Sequence, residues 1–254
     1  MGKKFKSISF SGCGLHVFFQ VGVAQALLEH NIQFETVCAC SGGVCSGLYY
    51  LLDLREHCTL DELLSIIPEG CERGPGFCCS GSKNCSVDGK STGVGLARER
   101  MLAWLEKLLN KLPDAYKRVS NRLRITLMEW PSCHTRVATR WRSNADLLQC
   151  VRATTDIPLI DASCRPTCWR GRYYYDGGIL CSHPIIDADT VCVTTCAFSQ
   201  PWTDAWKEKD GWWGEISHHV STGSIQVMRR CFYKRLWHLG RQTAKKWINK
   251  SKRK

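Results

Sequence analysis

Two successive segments of strand, glycine turn and helix at the N-terminus restrict this chain's fold more than any other feature. Lys6 to Phe10 alternates as a short strand and runs into Ser11-Gly12-Cys13-Gly14, after which Val17, Val21, Ala24, Leu27 and Leu28 recur at helical spacing as far as His30. The pattern then repeats. Phe34 to Cys40 is β-branched and small, Ser41-Gly42-Gly43 turns, and Val44 to Leu54 is apolar enough for a buried helix. A strand that returns through a helix re-enters its sheet in the same direction, so an α/β fold is expected, with a mainly parallel sheet covered by helices.

Further along, Leu96 to Leu112 carries Met101, Leu102, Leu105, Leu108, Leu109 and Leu112 on one side and is closed by Pro113. Leu123 to Met128, Tyr173 to Tyr175 and Thr190 to Cys196 read as strands, and Asp146 to Ala153 as a helix. Glu69 to Gly95 holds seven glycines and four cysteines in 27 residues, and is expected to be a loop or flap. With 254 residues, 44% of them apolar, the chain can build one sizeable core but not two.

No run approaches the ~18 to 20 apolar residues of a membrane-spanning helix. Met1-Gly2-Lys3-Lys4-Phe5-Lys6 leads into a strand rather than a signal peptide's apolar stretch, which predicts a cytoplasmic protein. Lys6 stands where myristoylation of Gly2 needs Ser or Thr. In that compartment most of the 17 cysteines are expected to be reduced core residues. Metal binding is the alternative for Cys71, Cys78, Cys79 and Cys85, but no C-x-x-C pair is present.

The first chemical candidate is Ser41. Ala39-Cys40-Ser41-Gly42-Gly43 places it on a tight strand-to-helix turn, the outline of a nucleophile elbow, with the positive end of the next helix behind it. Gly12-Cys13-Gly14 offers a second set of backbone N–H groups from the neighbouring turn, able to hold a negative oxygen. A dinucleotide site there would need glycine where Val17 stands. Gly89-Lys90-Ser91 likewise fails as a phosphate loop, since Asn84 replaces the required glycine.

Asp176 is the candidate base. It closes the strand Tyr173-Tyr174-Tyr175 and precedes Gly177-Gly178, so backbone can approach it closely. A free Asp has a pKa near ~3.9, and burial must raise it for this task. His183 is the competing base, because Ser, Asp, His is the order of an ordinary hydrolase triad. Taken singly, the serine turn is also compatible with a plain helix cap and Asp-Gly-Gly with a plain turn.

In type and order these residues resemble the patatin-like phospholipases, above all the animal branch that includes adipose triglyceride lipase. Ile8-Ser9-Phe10-Ser11-Gly12-Cys13-Gly14 with Val21-Gly22-Val23-Ala24 looks like that branch's oxyanion loop and first helix. Ser41 falls on its catalytic serine, with Gly43 in the elbow, and Asp176-Gly177-Gly178 falls on its Asp-Gly-Gly/Ala motif. Leu112 to Tyr116, Arg122 to Ile125, Asp146 to Leu148, Ile157-Pro158 and Cys196 to Ser199 extend the likeness over most of residues 6–200.

The resemblance implies a three-layer fold with helices on both faces of the sheet and a lipid acyl-ester hydrolase with a Ser-Asp dyad. It also implies no metal, no cofactor and no catalytic histidine. Two positions depart from the family pattern: Ala39 replaces the elbow glycine, and Val17 replaces the last glycine of the oxyanion motif. Val17 is expected to shift the loop or narrow the acyl entrance. The alternative is a weak or inactive relative that acts as a lipid or membrane adaptor.

The charge of +12 is concentrated at the end, where Ser224 to Lys254 has 11 Lys or Arg and no acid. Met228, Phe232, Leu236, Leu239, Thr243 and Trp247 recur at steps of three and four, so a basic amphipathic helix is expected. It would either sit on an anionic membrane or lipid-droplet surface or pack on the domain. Trp202, Trp206, Trp212 and Trp213 precede it, in a segment 201–254 set apart from the hydrolase region. Nucleic-acid binding is disfavoured, because the charge is confined to one terminal helix.

Overall fold

The computed structural model describes residues 5–67, 93–158, 165–195, 215–217 and 230–252. The two N-terminal units form as expected: β1 (Ser7–Phe10), α1 (Val17–Glu29), β2 (Thr36–Ala39) and α2 (Gly43–Leu52). α2 stops short of Leu54 because Asp53 takes a left-handed backbone. Next come α3 (Leu60–Leu64), α4 (Gly93–Lys111), α5 (Ala115–Val119), β3 (Leu123–Trp130), β4 (His134–Ala138) and α6 (Asn144–Thr154). β5 (Thr167–Trp169), β6 (Arg172–Asp176), β7 (Thr190–Thr194), β8 (Glu215–Ser217) and α7 (Arg230–Lys252) complete the described strands and α-helices.

The eight strands form one sheet in the order β5-β6-β3-β2-β1-β7-β8, with β4 also paired to β3. β1 pairs parallel with β2 and β7, β2 with β3, and β7 with β8. The β4, β6 and β5 pairings are antiparallel; of these three strands the sequence patterns mark only β6, as Tyr173 to Tyr175. β4 escapes notice because its residues are mostly exposed and carry no alternation. β5 and β8 have only three residues each. α4 begins at Gly93, so the glycine-rich segment ends sooner than Gly95. The rest of that segment, with Cys71, Cys78, Cys79 and Cys85, lies outside the described residues, as do Trp202 to Trp213, Met228 and Cys196 to Ser199.

α1 is buried on almost every side, with 11 of its 13 residues buried, so the sheet alone cannot cover it. α2 packs beside it and α7 covers its outer side. The contact with α7 is backbone on backbone: a methyl on Gly240 would lie 2.0 Å from the Phe19 carbonyl oxygen, and one on Gly22 2.1 Å from that of Trp237. Phe18 meets the Tyr233 ring at 4.9 Å, and Arg241 bonds Glu29 at 2.7 Å. Tyr233, Leu236, Trp237, Gly240, Ala244 and Ile248 form the buried stripe of α7. The packing on the domain expected for this helix is present. The buried stripe is rotated from the expected one, leaving Phe232, Leu239, Thr243 and Trp247 half-buried at its margin.

Candidate active site

β2 and β6 approach from opposite directions along a single edge of β3. The β3–β4 ladder runs from Ile125 to Glu129 and overlaps the ladders of both β2 and β6, so β4 must occupy the other edge. β2 ends with Ala39 opposite Ile125, and β6 ends with Asp176 opposite Leu127. Their ends converge on Thr126. Two strands far apart in sequence thereby deliver Ser41 and Asp176 to one place.

Ser41 follows β2 with a φ of 51°, a left-handed conformation that costs a side-chain-bearing residue roughly 1 to 2 kcal/mol. Its N–H donates to Thr154 Oγ1 at 3.1 Å, and Thr154 donates to the Thr126 carbonyl at 2.6 Å. The elbow closes only because Gly43 lacks a side chain, since a methyl there would lie 2.4 Å from the Phe10 carbonyl oxygen. Gly177 is equally confined, 2.1 Å in the same sense from the Thr126 oxygen.

Asp176 is 2% exposed, and Gly178 N–H donates to its Oδ1 at 2.7 Å. Oδ2 is buried with no partner of hydrogen-bond geometry among the described residues. Burial pushes the carboxyl up to about 7, against the opposing pull of the Ser41 hydroxyl, the Gly178 N–H and the Arg98 charge. The pair is therefore apposed but not closed: the hydroxyl is near enough to favour the ionised carboxylate without meeting Oδ2 in a bond. A carboxylate poised near neutrality, with one oxygen unspent beside a strained serine, is equipped to take a proton.

The glycine loop lies across the serine. A methyl on Gly12 would sit 3.5 Å from Ser41 Cβ, and one on Gly42 2.5 Å from the Gly14 carbonyl oxygen. Here the expectation needs correcting, because the Gly12 N–H is already given to the Ser182 carbonyl at 2.8 Å. Gly12 shapes the loop, while Cys13 and Gly14 keep the N–H groups that no described carbonyl takes up. Gln20 anchors the loop from below, its Nε2 donating to the Ser11 carbonyl at 3.0 Å. Burial raises the Cys13 and Cys40 thiols well above their ordinary range, so both stay neutral beside the carboxylate.

His183 is spoken for. Its Nδ1 meets Ser182 Oγ at 2.8 Å and its Nε2 meets Thr194 Oγ1 at 2.9 Å, which makes it a brace between the Asp176 loop and β7. Among the described residues no three His, Cys, Asp or Glu side chains are grouped to hold a metal ion. None of the described helices is long and apolar enough to cross a membrane.

No family model matches the chain. The 1-acylglycerol-3-phosphate O-acyltransferase Pnpla3 of Mus musculus is 22% identical over 239 residues, covering 89% of this chain and 53% of that protein. The Homo sapiens enzyme of the same name is 22% identical over 232 residues, covering 89% of this chain and 45% of its own length. Both are patatin-like phospholipase proteins. Over most of its length the chain is similar to these two patatin-like proteins. It spans about half the length of these curated relatives. Among solved structures, VipD from Legionella pneumophila covers 98% of this chain and 67% of its own at 14% identity, with a TM-score of 0.49.

Neither departure from the patatin-like pattern stands on a strained backbone. Val17 opens α1 at φ −46° and ψ −31°, a conformation open to any residue, and is buried in the core. Ala39 is an ordinary, fully buried strand residue. Gln20 and Thr154 are the positioning residues that sequence reasoning missed. Gln20 was visible as an amide set between apolar residues, Phe18, Phe19 and Val21, whereas nothing local marks Thr154.

Proposed function

We propose that this chain is a serine lipid acyl hydrolase of the carboxylic-ester class. Ser41 Oγ attacks a fatty-acyl ester carbonyl as its proton passes to Asp176. The carbonyl oxygen becomes a tetrahedral oxyanion, met by the Cys13 and Gly14 N–H groups and the N-terminus of α2. Collapse breaks the ester C–O bond, and Asp176 returns the proton to the departing alcohol. Water then attacks the acyl-enzyme by the same route. A lipid alcohol in place of water would give acyl transfer, the reaction named for both curated relatives.

The observation that carries this reading is the apposition of Ser41, in its left-handed turn, to a buried carboxylate with a pKa of about 7. A fluorogenic medium-chain ester should be turned over by the purified chain, and Ser41→Ala should lower that rate by about a thousandfold or more. A fluorophosphonate probe should label the parent and not the variant. Equal rates in the two proteins would end the proposal. Liposome association without labelling would establish the adaptor alternative.

A further inference from the structure

A second site lies on the antiparallel end of the sheet. Arg136, Arg140, Arg170 and Arg172 line a cleft of about 520 Å³ with Trp169 and Tyr174. β4, β5 and β6 bring together arginines that are up to 36 residues apart in the chain, from Arg136 to Arg172.

The guanidinium groups are fixed rather than adrift. Glu129, nearly buried, takes Arg136 Nε on one oxygen and Arg172 Nη1 on the other. Each of these arginines spends one of its five N–H donors there and keeps an exposed remainder. Arg170 donates to both carboxylate oxygens of Asp146 and to the Arg140 carbonyl, and its guanidinium stacks 4.4 Å above the Trp169 ring. It also sits in the tight β5–β6 turn at φ 50°, beside Gly171 at 74°. Arg140 Nε is oriented by Asn121 Oδ1 at 2.6 Å. Four positive charges face two carboxylates, Glu129 and Asp146, which leaves the wall with two to spare.

We propose that this cleft binds a phosphomonoester. Such a group carries about −1.5 to −2 charges near pH 7 and presents acceptor oxygens that match the planar forks of paired arginines. Glu129 sets two like charges side by side, and an anion between their free N–H groups relieves the repulsion. The ring of Trp169 and the phenol of Tyr174 give the cleft a floor for the carbon adjoining the phosphate. This site makes no use of Ser41, so its fate is separate from that of the hydrolase reading.

The test measures binding of inorganic phosphate to the full chain by calorimetry, and sedimentation with phosphatidylcholine vesicles with and without phosphatidic acid. The parent should bind at least one of these phosphates, and Arg136→Gln with Arg172→Gln should weaken that binding by about tenfold or more. Ser41→Ala should leave it unchanged. Circular dichroism establishes that the double variant is folded, and Arg170→Gln serves as a second variant from a different element. Binding of free phosphate alone identifies a soluble phosphomonoester as the source, and binding of phosphatidic acid vesicles alone identifies a lipid headgroup. The proposal fails if the parent binds neither, or if arginine variants bind as the parent does. It fails equally if only Lys245→Gln with Lys246→Gln, on the exposed face of α7, reduces the binding.

Discussion

Thr154 holds Ser41 to the sheet, its hydroxyl accepting the Ser41 N–H at 3.1 Å while donating to the Thr126 carbonyl at 2.6 Å. The same carbonyl confines Gly177, next to Asp176. One hydroxyl thus couples the backbone of Ser41 to the strand that also positions Asp176. Thr154→Val keeps the shape and removes both bonds, so it should destabilise the fold by about 1 to 3 kcal/mol in urea titrations. Ester turnover should show kcat falling about tenfold or more with little change in KM. Thr154→Ser should restore most of both.

Strain at the elbow should be measurable as stability. Ser41 stands at φ 51°, where glycine is at ease and alanine is not. Ser41→Gly and Ser41→Ala should both be inactive, but the glycine variant should be the more stable by about 1 kcal/mol. Thermal unfolding of the two variants side by side decides it.

On the proposed mechanism Asp176 should give activity and stability opposite dependences on pH. Its folded pKa, about 7, lies above the ordinary 3.8 because burial disfavours the charge. Turnover needs the ionised form and should rise through pH 7 before levelling off. The folded state binds the proton more tightly than the unfolded one, so this group's contribution to stability falls as pH rises from about 4 to about 7. Asp176→Asn should therefore be inactive yet more stable than the parent at pH 8, by a few kcal/mol, with the advantage shrinking toward pH 4. Denaturation curves at the two pH values provide the check.

His183 should prove structural. With both ring nitrogens bonded to Ser182 and Thr194, His183→Ala should retain activity to within about tenfold and lose about 1 kcal/mol of stability for each bond. Abolished turnover in a folded His183→Ala protein would restore the triad and remove Asp176 from its role.

α7 is bound to the fold through Gly240. A methyl there meets the Phe19 carbonyl at 2.0 Å, and helix backbone cannot step aside as a side chain can. Gly240→Ala should cost about 1 to 3 kcal/mol and open α7 to hydrogen exchange before the sheet.

Much of the site was legible because its parts are local. Small residues on both sides of Ser41, paired glycines after a strand-ending Asp176 and the loop at Gly12 to Gly14 are turn chemistry, which depends on a few neighbours in the chain. The donors of the oxyanion loop were less so, since whether the Gly12 N–H is free depends on Ser182, remote in sequence. The seam of α7 was misplaced by a fraction of a turn for the same reason. Periodicity identifies an apolar side, but the partner, here the groove beside Gly22, selects which residues enter it.

By itself the sequence determined the two parallel units, the elbow and the presence of an acid at the end of a strand, because hydrophobic period and glycine placement act over a few residues. Only the tertiary structure decided that β2 and β6 share one edge of β3, and hence that Ser41 comes to lie beside Asp176 while His183 is bonded to Ser182 and Thr194. It also decided that Asp176 is buried deeply enough to hold a proton near neutral pH. Strand pairing and burial are properties of the assembled sheet, and no short stretch of chain contains them.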